Sequence, residues 1–564
     1  MDRFDLGVHT KAISTTSTEA QRWFNLGLNW CYGFNHEEGV KCFQQALIHD
    51  PVCVMAHWGV AYGSGPFYNN LWRDMSQSEA DATARICCAY IQQARANAAT
   101  CEDWENRLVE ALALRFQQPK AVAGTEYDRW DDDYAAAMRR LYHFYPDDHD
   151  LMALTAEALM TRTAWKLWDV NTGLPSSGAD TLEARAIIEA SIASQKAAGL
   201  LQHPAILHLH IHVTEMSPQP ERALASADML GSLCPDAGHM NHMPGHTYVL
   251  CGHYEKAKLA SQKAMAANRV FLDYAGPYNF YTTARCHDLH LMMYACMLLG
   301  QFEPAWAAAQ EMTAGLTPDV VQVPGRPQVE ATLEGYHAMA LHVLGRFGRW
   351  QQIIDTPAPK QPQVYLVSCA MHHYASVVAH ASLKQFAQAE QHRELFYKAL
   401  QPIPATRKFF NNPALAILAV AQEMLEGELA YHQGQYGKAF FHLREAVRLD
   451  DELAYSEPWP WMHPPRHALA ALLAAQGHFD EAETVCLTDL GVNGVLQRCA
   501  QHADNIWALL GLVECLEERD AKDELAIYGP KLAQARALTD ADISSACLCR
   551  AQTTTPVCCS IAND

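Results

Sequence analysis

The sequence predicts an all-α solenoid of stacked helix pairs, on three observations. A glycine–aromatic turn recurs at Gly252-His253-Tyr254-Glu255-Lys256-Ala257, Gly300-Gln301-Phe302-Glu303-Pro304-Ala305, Gly345-Arg346-Phe347, Gly434-Gln435-Tyr436-Gly437-Lys438-Ala439 and Gly477-His478-Phe479-Asp480-Glu481-Ala482. In each, the glycine is expected to end one helix in a left-handed cap and the aromatic to pack back into the pair. Except after Gly345, an alanine five residues on sits at the helix crossing. The second observation is composition: hydrophobic residues make up 49% of the chain and charged ones 19%, enough for a large core and too apolar for general disorder. The third is that the sequence lacks a β-alternating run of consequence, a phosphate-cradling glycine loop, a G-x-G-x-x-G after a strand and a G-x-S-x-G elbow.

The first repeat has the fullest signature. Trp23, Leu26, Gly27, Trp30, Gly39, Phe43, Ala46 and Pro51 fall at the spacing of a tetratricopeptide repeat, a helix–turn–helix unit of about 34 residues. Gly27 and Gly39 let two helices approach closely, Phe43 and Trp23 fill the groove between them, and Pro51 stops the second helix. Ala56-His57-Trp58-Gly59-Val60-Ala61-Tyr62 opens the next helix, and Gly65-Pro66 breaks it. Residues 78–194 remain helical in composition, and the Pro/Gly breaks at 173–178, 318–327 and 357–362 read as connections between helix pairs. The expected division is an N-terminal arm (1–19), a continuous right-handed solenoid (20–535) with a His-rich centre near 203–295, and a Cys-containing, poorly ordered tail (536–564).

Charge and composition exclude several classes. The formal net charge is −21, and no clustered basic stripe stands against it, so neither nucleic acid nor an anionic membrane is an expected partner. The first residues hold no apolar run of signal-peptide length, and no stretch is long enough to span a bilayer, so the chain reads as cytoplasmic. The 18 cysteines are scattered along helical segments as reduced, buried small hydrophobes. A group at Cys547, Cys549, Cys558 and Cys559 lies in the tail and reads as a frayed terminus.

Chemistry concentrates in the histidines. On a helix, His208, His212 and Glu215 share one face, two imidazoles and a carboxylate offered to a single centre, while His210 points away. His239, His242 and His246 follow, interrupted by Pro244, which costs about 3 kcal/mol inside a helix, so a helix is expected to begin there. A third contribution is expected from His287 and His290, three apart on the helix that should stack alongside. Single histidines such as His253, His337, His432 and His478 read as satisfied repeat residues, and Glu157 as structural. A crowd of imidazoles differs, because burying them unpaired is costly and something must accept their lone pairs. Nitrogen-rich ligation with a carboxylate points to a divalent transition metal (Fe, Cu or Zn), which the sequence does not distinguish. A weaker candidate is the rigid aromatic loop Glu457-Pro458-Trp459-Pro460-Trp461-Met462-His463-Pro464-Pro465-Arg466-His467, which equally reads as a wedge capping the groove between repeats.

These residues together resemble the tetratricopeptide-repeat proteins of the repeat domain 38-like family. The resemblance rests on Trp23-Phe24 with Gly27-Leu28, Gly33-Phe34-Asn35-His36-Glu37-Glu38, Ala56-His57-Trp58-Gly59, Ile211-His212 with Glu215, Gly238-His239-Met240 with His242-Met243-Pro244-Gly245-His246, and Pro465-Arg466-His467. It implies a helical-repeat fold and leaves the reaction open. The leading expectation is a metal-dependent enzyme, by redox or Lewis-acid chemistry, acting on a small-molecule substrate, with Glu215 assisting as base or ligand. The competing one is a non-catalytic scaffold gripping a peptide or protein partner in its concave groove.

Overall fold

The computed structural model describes residues 3–550. Cys558 and Cys559 lie outside the described residues. Antiparallel helices stack in sequence: Thr18–Tyr32 on His36–His49, Leu366–Ser382 on Phe386–Leu400, Ala414–His432 on Tyr436–Asp451, and Pro465–Ala475 on Phe479–Asp489. Strand is confined to two short hairpins, Trp168–Asp169 with Leu174–Pro175 and Lys408–Phe409 with Asn412–Pro413, among the described residues. The fold is an all-α helical-repeat solenoid of tetratricopeptide type. No helix among the described residues is long and apolar enough to cross a membrane.

The first pair forms for the reasons its sequence states. Ser17 caps the first helix by accepting from the Ala20 N–H, and Asn35 caps the second by accepting from the Glu38 N–H. A Cβ at Gly39 would meet Cys31 Sγ at 2.6 Å and the Gly27 carbonyl oxygen at 3.0 Å, so only glycine permits this crossing. The groove is filled by Phe24 and Phe43, both fully buried with ring centroids 5.5 Å apart. Each contributes about 2–3 kcal/mol by burial. Trp23, expected in that groove, is instead half-buried on the outer side with Arg22 over its ring. Its neighbour Phe24 is the residue on the inward face.

The turn glycines Gly252, Gly300, Gly434 and Gly477 all take positive φ, between 74° and 79°. Gly345 does not belong with them: its helix, Ala340–Arg346, runs through it, and the left-handed residue is Gly348, at φ 60°. The reason is register, because Phe347 and Gly348 lie beyond the last helical turn.

The superhelix closes on itself. Arg498 donates to the Leu250 carbonyl (2.7 Å), Tyr254 O–H to that of Ala503 (2.8 Å), and Trp507 Nε1 to that of Met297 (2.7 Å). On the other side, Tyr274 O–H donates to Glu38 and Arg326 pairs with Glu79. Both ends of the chain therefore wrap the central helices, and the interior is packed. The arm is strapped down too: Leu6 is buried, and His9 meets Asp150, which also accepts from Tyr32 and faces His203. The start of the tail departs from the expected disorder. Ile543, Ala546 and Cys549 are buried, Ile543 against Gly300 and Ala546 against Gly511. Apolar side chains at those positions find a groove between repeats, which outweighs the Ser/Thr-rich composition around them.

Candidate metal centre

The first histidine segment is a helix, Pro204–Glu215, begun by proline at its first position and capped by the His203 ring. His208 and His212 project from one face, as their spacing requires. His208 Nδ1 lies 2.8 Å from the Tyr32 carbonyl oxygen, and His212 Nδ1 lies 2.9 Å from Glu215 Oε1. Both contacts put the proton on Nδ1 and leave Nε2 as a bare lone pair, for which no partner exists among the described residues. His239, on the short helix Gly238–His242, has both ring nitrogens unpartnered. A ligand nitrogen of each of His208, His212 and His239 lies within 4.8 Å of those of the other two.

A second group adjoins the first. Pro244 begins a new helix, Pro244–Leu250, which places His246 in its first turn and His242 at the end of the preceding short helix. His287 comes from the helix Tyr281–Leu299. His242 Nε2 and His246 Nε2 stand 2.6 Å apart, and His287 Nε2 is 3.3 Å from His246 Nε2. His246 Nδ1 donates to Glu215 Oε2 at 2.9 Å, so its Nε2 is the acceptor nitrogen, facing His242 Nε2. Three nitrogens each about 2.1 Å from one tetrahedral ion would lie about 3.4 Å apart; the His246–His287 pair has that spacing, while the His242–His246 pair stands at hydrogen-bond distance.

Carboxylates support both groups from behind. Glu215 uses one oxygen for His212 and the other for His246. Glu457, from the aromatic loop, brings Oε2 to 2.7 Å from His246 Nδ1 but out of hydrogen-bond alignment. Asp288 Oδ1 lies 3.2 Å from His242 Nδ1, likewise out of alignment, while its Oδ2 accepts from Asn268. Burial and the neighbouring Glu457 raise the Glu215 carboxyl well above the carboxylate range. Burial would raise Glu457 as well, but the facing His246 imidazole holds it low. Burial pushes the imidazoles down, His208 to about 4 and His287 to about 3, and His212, His239 and His242 well below their usual value. These rings are neutral near pH 7, the form that binds metal.

Aromatics wall the first group. Phe34 lies against His208, His212 and His239 at centroid distances of 4.4, 5.6 and 5.3 Å. Phe34 (φ 57°) and Trp165 (φ 64°), both beside the His212 ring, hold the left-handed backbone that non-glycine residues avoid. Such strain persists only where surroundings enforce it. Tyr68 packs on His212 at 4.8 Å, with its hydroxyl buried and unpartnered among the described residues.

Six of the seven histidines named as ligands from sequence meet in these two groups. His290 does not join them: its ring stacks on Phe410 at 5.1 Å and meets Tyr336 edge-on. Three residues after His287 on the same helix, it faces a different part of the core. His210, set aside from sequence, bonds Ser226. Arg466 pairs with Asp451 and His467 with Asp489, so both stabilise the wrap and neither reaches the centre. Sequence reasoning gave Glu457 only as part of a weaker candidate loop and Phe34 only among the residues of the family resemblance, and it did not bring Tyr68 to the centre at all. Glu457 did carry a signal, as an acid opening a loop of prolines and tryptophans; nothing local marks the other two. Three more groups meet the same spacing: His212 with Glu215 and Glu457 at the centre itself, His372 with His373 and His392, and His9 with Asp150 and His203.

No family model and no curated protein matches the chain. Among solved structures it is similar to the human IFIT1 dimer with m7Gppp-AAAA, at 11% identity over 93% of this chain and 91% of that one, TM-score 0.31. It is also similar to the APC/C hetero-tetramer Cut9-Hcn1, at 10% identity over 93% and 95%, TM-score 0.27, and to Naa15/Naa10 bound to HypK-THB, at 12% over 92% and 73%, TM-score 0.21. Alignments this loose say nothing about what the chain binds; its fold stands on its own helix packing.

Proposed function

We propose that the chain is a metal-dependent enzyme whose His-rich centre holds a divalent transition metal and acts on a small molecule. One observation carries this reading: Nε2 of His208 and of His212 and both ring nitrogens of His239 are buried without a hydrogen-bond partner among the described residues, and the three rings offer nitrogens within reach of one ion, an arrangement that is costly without a cation. A bound ion would polarise a substrate oxygen or cycle between oxidation states. Around it, Tyr32 and Glu215 fix the tautomers of His208, His212 and His246. Because both Glu215 oxygens are engaged, its part is positioning. Glu457 and His246 line a narrow cleft together with Tyr294, Tyr455 and Trp459. A reactant entering there is very small, or the loop 457–464 moves to admit a larger one. The His-Met-Pro-Gly-His string on which the resemblance to the repeat domain 38-like family chiefly rests falls on the two short helices that carry His242 and His246.

A second reading, a scaffold for a peptide or protein partner, is favoured by an open, mainly apolar groove of about 460 Å³ lined by Trp306, Leu341, Leu344, Pro357 and Pro359. Elemental analysis of the full-length protein, purified without chelators, separates the two. Near-stoichiometric metal that is lost on His212→Ala or His246→Ala, with helicity retained by circular dichroism, supports the enzyme. No metal retained leaves the scaffold.

A further inference from the structure

We infer that the centre holds two ions, one in each histidine triad, near enough to share a single small bridging ligand. This rests on the metal-binding reading above and specifies the site's stoichiometry. Each triad is complete by itself, with His208, His212 and His239 in one and His242, His246 and His287 in the other. Three imidazoles are an ordinary protein contribution to one catalytic transition-metal ion, with a further position left for a small ligand. The triads also abut. His212 and His246 have centroids 6.1 Å apart, and His239 and His242 5.9 Å. Glu215 clamps one histidine of each triad with its two oxygens, at 2.9 Å in both cases, which locks the spacing between them.

The surround fits a pair of cations. Glu215, Glu457 and Asp288 are all buried at the centre, and no Lys or Arg among the described residues pairs with any of them. Carboxylates standing behind adjoining ligand groups are the setting of two-metal sites, whose ions stand about 3.5–4 Å apart. The substrate class is then a molecule that binds across two ions through one or two atoms: water, a small oxygen ligand, or a substrate hydroxyl admitted at the cleft beside Glu457.

The test uses the full chain, stripped with a chelator and reloaded separately with Zn²⁺ and Cu²⁺. Two ions per chain are expected, falling to one in His239→Ala and to one in His287→Ala. The Cu²⁺-loaded wild type is expected to show a paramagnetic resonance signal well below that of two isolated ions, with the full one-ion signal in either variant. One ion per chain in the wild type overturns the pair and leaves the metal reading intact. No ion overturns both. Two ions with full, uncoupled signal overturn the shared ligand. The wild-type measurements decide the matter even if a variant fails to fold.

Discussion

Glu215→Gln should move two properties in opposite directions. Glutamine keeps the volume and one acceptor but replaces the other with an NH₂ donor. Glu215 now accepts from both His212 Nδ1 and His246 Nδ1, so in the variant one of the two rings loses its acceptor and, with it, the tautomer that aims Nε2 inward. Loss of an outer partner of a metal-binding imidazole costs about 10–100-fold in affinity, or about 1.4–2.8 kcal/mol. The metal-free protein should respond the other way. Its Glu215 carboxyl is raised by burial and by Glu457, so a neutral amide relieves a buried repulsion and should stabilise the fold by about 1–3 kcal/mol. Competition against a chromophoric chelator measures the affinity, and thermal unfolding in excess chelator measures the stability. Unchanged affinity would refute the assigned coupling of Glu215 to the centre. A destabilised metal-free variant would refute the account of its charge.

Other expectations test the scaffold. Gly39→Ala forces a Cβ to within 2.6 Å of Cys31 Sγ and 3.0 Å of the Gly27 carbonyl oxygen, and should destabilise the first repeat by about 1–3 kcal/mol in urea unfolding. Burial raises Glu428 to about 8. Its native form therefore retains a proton that the unfolded chain releases near 4.5, and stability contributed by this group is full below pH 4.5 and lost as pH rises toward 8. Glu428→Gln should therefore raise stability more at pH 9 than at pH 5, by up to about 4 kcal/mol; equal melting shifts at both pH values would count against it. Asp489 accepts from His467, His502 and Asn505, so Asp489→Ala should cost about 3–5 kcal/mol. Hydrogen exchange should show the loss concentrated where the 489–507 segment meets the central helices.

The helix pairs were legible because their causes are local. A glycine that must be left-handed, as at Gly300, or must let a neighbour within 3 Å, as at Gly39, is visible in a single repeat. Where the local signal was ambiguous the reading slipped by a few residues, at Gly345 for Gly348 and at Trp23 for Phe24. Spacing on a helix likewise put His208 with His212, and Pro244 located the start of the helix that carries His246. It could not separate His287 from His290, because facing the centre depends on how that helix rolls against its neighbours. Glu457 lies more than two hundred residues from Glu215, and no periodicity connects them.

By itself, then, the sequence determined the repeat architecture and the crowd of imidazoles at the middle of the chain, since both follow from contacts between residues near in the chain. The tertiary structure alone decided that the crowd divides into two triads, that Glu215, Glu457 and Asp288 stand behind them, and that the ends of the solenoid close over them. Those outcomes depend on long-range packing, in which a few degrees of helix rotation decide whether a ring nitrogen meets a partner or the protein core.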